Sequence, residues 1–141
     1  MKQRLRLLAP RARNAVRLVR HFLPRVRRLD PPTVRALWWS AGELRRLRRV
    51  LGPEGLEASV RHPPPLPSEA VRGVRFATTV GRATCLERSL ILQRWFMDHG
   101  QPYEILVGVN PGGGEFTAHA WLDGYDGPQD EYTVLTRKPA A

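Results

Sequence analysis

Along this chain, apolar positions recur at spacings of three and four in its first two-thirds and then alternate with polar ones. Val34, Leu37, Trp38, Ala41, Leu44 and Leu47 follow the turn signal Asp30-Pro31-Pro32-Thr33 and predict a helix over about 32–50, which Gly52-Pro53 stops. The tandem pair Trp38-Trp39 places one ring off the apolar stripe of that helix. A shorter irregular stretch runs to Val60, and His62-Pro63-Pro64-Pro65-Leu66-Pro67 reads as an extended, polyproline-like linker. Ser68 and Glu69 open a second helix, which carries Ala70, Val71, Val74, Ala77 and Val80 toward a core and ends at Gly81.

Thr84, with Glu87 three residues on, forms a capping-box pattern and sets the start of a third helix over about 85–99. Leu86, Leu90, Leu92, Phe96 and Met97 mark its buried sides, and Gly100 supplies its C-terminal cap. Beyond Pro102 the period becomes two. Strands are predicted over 104–109, 116–122 and 131–135, joined by the glycine-rich loop 110–114 and the turn 124–128. The expected fold class is α+β: a helical N-terminal half, then a helix packed on a small antiparallel sheet arranged as a meander.

Residues 1–28 interleave leucine, valine and alanine with arginine, while Pro10 and Pro24 restrict them to short helical pieces. The expected organisation is a basic arm over 1–30, a helical region with its proline-rich linker over 31–67, and a core over 68–141. Charge divides the chain in two. Of the net +10, residues 1–80 contribute 18 basic and 5 acidic side chains, and residues 81–141 contribute 5 basic and 8 acidic. The arm lacks interleaved aromatic platforms, so nucleic acid is not an expected partner; an acidic protein or weak contact with an anionic membrane surface is.

A single cysteine excludes an internal disulfide and fits a reducing, cytoplasmic compartment. Arginines interrupt the N-terminal stretch too often for a signal-peptide h-region, and no window of about 18 apolar residues predicts a membrane span. His21, His62, His99 and His119 lack metal-ligand spacing, and no cofactor motif is present, so neither metal nor cofactor is expected.

Chemistry centres on Cys85. A thiol attacks a carbonyl only as thiolate, and the unpaired N–H groups of a helix's first turn favour negative charge on sulfur and on a substrate oxyanion. His119, inside the second predicted strand and on one face with Thr117 and Trp121, is the better base of the two histidines in this half. His99, beside Gly100, more simply meets the last carbonyls of its helix. An imidazole also needs an orienting acceptor, for which Asp130 is the first choice and Asp126, Glu131 and Asp123 are rivals.

The run Ala83-Thr84-Cys85-Leu86-Glu87-Arg88-Ser89-Leu90, followed by Gly100, Val107-Gly108-Val109, Phe116 and His119-Ala120-Trp121-Leu122-Asp123, resembles the transglutaminase-like leader peptidases of lasso peptide biosynthesis. The resemblance covers about residues 68–136, and 15–67 more loosely. It implies a transglutaminase/papain-like core with Cys85 as nucleophile, His119 as base and then acid, and an aspartate as third member. It also implies a lasso precursor peptide as substrate, a separate leader-recognition protein and a lasso cyclase as partners; nothing in 1–67 reads as a β-rich leader-binding module. The same residues also fit acyl transfer to an amine, and a basic adaptor with a merely buried cysteine remains the alternative from another class.

Overall fold

The structure, a computed structural model, describes residues 30–110, 117–127 and 132–141. The basic arm therefore lies outside the described residues, apart from Asp30, and so do Asp130 and Glu131. Residues 31–141 form one compact unit.

Helix α1 spans Pro31–Glu54 and passes through Gly52-Pro53 where the sequence pattern ends it. Pro53 stands next to the last helical residue, so the missing donor and the ring's clash fall on the final turn alone. Trp38 is 65% exposed, whereas Trp39 turns inward against Trp95, their rings 5.8 Å apart. After two 3₁₀ turns, Gly55–Glu57 and Ser68–Ala70, comes helix α2, Val71–Val80.

Helices α1 and α2 meet at Gly73. A Cβ there would lie 2.1 Å from the Thr33 carbonyl oxygen and 2.9 Å from the Leu37 nitrogen, both backbone atoms that no rotamer change can move aside. Gly73→Ala is accordingly expected to force the helices apart and to lower stability by about 1–3 kcal/mol, read as a fall in urea midpoint at unchanged slope. A midpoint equal to wild type would show that this approach does not hold the helices together.

Helix α3, Cys85–Asp98, lies across the sheet and supplies the centre of the core with Leu90, Ile91, Leu92 and Trp95. Gly100, at φ +75°, closes its C-terminal end as the pattern predicts. His99 sets one ring nitrogen 2.7 Å from the Trp95 carbonyl and the other 2.8 Å from that of Leu66. His62 adds a contact of 2.9 Å to Asp98, so two imidazoles fasten the proline-rich strap to the end of α3.

Strands β1 (Ile105–Asn110), β2 (Thr117–Leu122) and β3 (Thr133–Lys138) form an antiparallel sheet in the order β2-β1-β3. The expected meander is corrected here. β1, not β2, is central, and β3 crosses to the far edge of β1 with a register shift between Val107 and Gly108. Two tethers hold it there. Gln93 donates to the Lys138 carbonyl, and Lys138 Nζ donates to the carbonyls of Leu56 and Ala58 at 2.7 and 3.0 Å. Burial pushes the Lys138 pKa down, opposed by Glu57 and reinforced by Arg94.

Buried Glu43 performs a similar service on α1. It accepts from Arg46 and from the Arg61 backbone, and pairs with the Arg61 side chain at 2.9 Å. Among the described residues, no helix is long and apolar enough to cross a membrane.

Candidate active site

Helix α2 ends in a tight reversal. Ala83 N–H donates to the Thr78 carbonyl and Arg82 N–H to that of Thr79, while Arg82 itself adopts φ +52°. This hydrogen-bonding pattern usually uses glycine at the left-handed position, and an L-residue there costs about 1 kcal/mol. The reversal delivers Thr84 in extended conformation as N-cap of α3, and both halves of the capping box are formed. Glu87 N–H donates to Thr84 Oγ1 at 3.2 Å, and Thr84 N–H donates to the Glu87 carboxylate at 2.8 Å. Cys85 is thus the first helical residue, half-buried against the core, with the dipole end of a 14-residue helix behind its sulfur.

His119 occupies the middle of β2, opposite Gly108 of β1. Alternation sends Ala120 and Leu122 into the core beneath α3, and His119 and Trp121 to the other face of the sheet. There the imidazole lies 5.9 Å from the Trp121 ring and 5.6 Å from that of Tyr132, centroid to centroid. Trp121 is clasped between two glycines. A Cβ on Gly108 would come 2.8 Å from its ring, and one on Gly127, at φ +130°, 2.4 Å. No hydrogen bond among the described residues joins Cys85 to the His119 ring.

Two of the rival acids have defined places. Asp126 is committed: one carboxylate oxygen accepts from Leu122 N–H at 2.9 Å and the other from Arg88 at 2.8 Å. It therefore ties the first turn of α3 to the end of β2. Asp123 is exposed just beyond β2, its N–H donating to the Glu104 carbonyl. Asp130 and Glu131 fall outside the described residues.

Sequence reasoning missed Arg88, Asp126's structural role and the Tyr132 contact. Tyr132 immediately precedes β3, and its reach to His119 depends on a strand order that alternation does not encode. Gly108 carried a readable signal: a glycine inside an apolar strand marks a close approach, here of the Trp121 ring.

The comparisons with known proteins agree with this architecture. Neither a curated protein nor a solved structure matches the chain at a significant level. The profile of the transglutaminase-like superfamily matches residues 31–137, about three-quarters of the chain, and takes in α1 to β3 with Cys85 and His119 inside it. With its α+β architecture and a cysteine opening the helix that crosses the sheet, this chain belongs to the transglutaminase-like superfamily, which includes cysteine peptidases and acyl-transferring transglutaminases.

Proposed function

We propose that the protein is a cysteine peptidase that removes the leader segment from a ribosomally made lasso peptide precursor. The observation that carries this reading is the placement of the chain's one cysteine as first residue of a fully capped helix inside a transglutaminase-like domain. In this scheme Cys85 is the nucleophile, His119 the base and Asp130 the group that orients the imidazole.

The Cys85 thiolate attacks the carbonyl carbon at the leader–core junction, and first-turn N–H groups of α3 receive the developing oxyanion. As the C–N bond breaks, imidazolium His119 gives its proton to the departing amine, leaving a thioester. Water then gives its proton to His119 and attacks the thioester, releasing the leader as a carboxylate and restoring sulfur. The scheme requires the His119 ring to reach the Cys85 sulfur in the peptide complex, since catalytic hydrogen bonds are often long in a free enzyme and tighten on binding. A separate recognition protein presents the leader, and a lasso cyclase consumes the freed core amine.

Incubation of the purified protein with precursor peptide and recognition protein, followed by mass spectrometry, tests this directly. Leader and core fragments differing from the precursor by one water are expected. An adduct with an added primary amine instead would assign amine transfer, and an unchanged precursor with an inert Cys85 would assign a non-catalytic adaptor.

A further inference from the structure

The corner that presents Cys85 is held from outside by one side chain of α1. Arg48 sets its Nε 3.3 Å from Glu87 Oε1 and directs one terminal nitrogen to the carbonyls of Gly81, at 2.7 Å, and Arg82, at 3.3 Å. One guanidinium therefore bridges the left-handed residue before the nucleophile and the carboxylate that closes the capping box after it. Arg48 is itself 45% exposed, but its partner Glu87 is only 6% exposed, and burial leaves that carboxylate dependent on its few partners.

We propose that Arg48 is a positioning residue for Cys85, a role that rests on Cys85 being the nucleophile. Two effects follow from the geometry. By binding the Gly81 and Arg82 carbonyls, Arg48 holds the reversal that aims the first turn of α3. By pairing with Glu87, it offsets a negative charge two residues from the sulfur that would otherwise oppose a thiolate. The other charged residues of this corner are Arg82 in the connection and Arg88 in the first turn, the latter paired with the carboxylate of Asp126. A flexible lysine does not reproduce the planar fork that reaches a carboxylate and two carbonyls together.

The test is the rate of Cys85 alkylation by iodoacetamide across pH 6 to about 9, measured on folded protein with circular dichroism as control. Arg48→Met is expected to react about three- to tenfold more slowly near neutrality, with its profile displaced to higher pH, and Arg48→Lys to fall between. Arg48→Met/Glu87→Gln, which also removes the unpaired carboxylate, is expected to recover most of the loss. A purely structural Arg48 would lower thermal stability and leave the profile of the folded protein in place.

A folded Arg48→Met variant that matches wild type at every pH overturns the proposal. Should that variant fail to fold, Arg48→Lys carries the test, and a wild-type profile there overturns it equally. A wild-type Cys85 that reacts no faster than the same thiol in urea-unfolded chain overturns the nucleophile reading instead, so the two failures are distinguishable.

Discussion

Cys85→Ala is expected to reduce precursor cleavage by about 10⁴-fold or more while changing unfolding free energy by less than about 1 kcal/mol. The asymmetry follows from the site's construction. The sulfur is half-buried at a helix end whose cap is made by Thr84 and Glu87, so its loss removes the attacking atom and leaves the helix start intact. His119→Ala is expected to cost a similar factor, because a cysteine without its base has no proton donor for the departing amine. It also loses ring contacts to Trp121 and Tyr132, and His119→Gln is the better control for packing.

The double variant carries the sharper information. Residues that act as one unit show strongly non-additive losses, so Cys85→Ala/His119→Ala is expected to be no slower than either single variant. Independent multiplication of the two effects would mean that His119 serves some purpose other than activating Cys85. That result would remove the proposed pairing even if both residues matter.

Trp95→Ala is expected to lower stability by about 3–5 kcal/mol, a substantial part of the total for a domain of this size. Trp95 is fully buried and joins three parts of the fold. Its ring stacks on His99 at 4.5 Å and tilts against Trp39 of α1 at 5.8 Å, and His99 in turn reaches the strap at Leu66. Truncation leaves a cavity at the junction of two helices and the strap. Chemical denaturation followed by far-ultraviolet circular dichroism measures it. A loss below about 1 kcal/mol would indicate that the junction closes over the gap.

Much of this architecture was legible in the residues. The Thr84–Glu87 spacing gave the start of α3 and put Cys85 in its first turn, because a capping box needs only local chain geometry. His99 was legible as a helix-end residue for the same reason. The sheet order was not. Alternation tells which face a side chain takes but is silent on which strand lies beside which, and β3 goes to β1 because Gln93, Leu56 and Ala58 anchor its last residue on the helical side. The near-continuous apolar run Ile105–Val109 was the available hint, since a central strand is covered more completely than its edges. Likewise, Gly52-Pro53 reads as a stop because proline cost is judged for a helix interior, whereas here it falls on the last turn.

At the site, the chemistry-bearing residue types were visible and their supports were not. Arg48 is 39 residues from its partner Glu87, and Arg88 is 38 from Asp126, separations at which no periodicity connects two side chains. Asp126 stood among the rival acids on proximity to the turn alone. Its carboxylate caps the end of β2 and holds Arg88, which gives it a structural role independent of any imidazole.

The ammonium of Lys138 reaches back 80 and 82 residues to carbonyls that immediately follow the first helix. Closing so large a loop comes late in any sequence of folding events, since its entropic cost must be met before the contact rewards it. During synthesis the segment around Leu56 leaves the ribosome long before its partner exists, and the native arrangement waits until residue 138 has cleared the exit tunnel. The helical part of this domain is therefore expected to wait on β3 for its native arrangement.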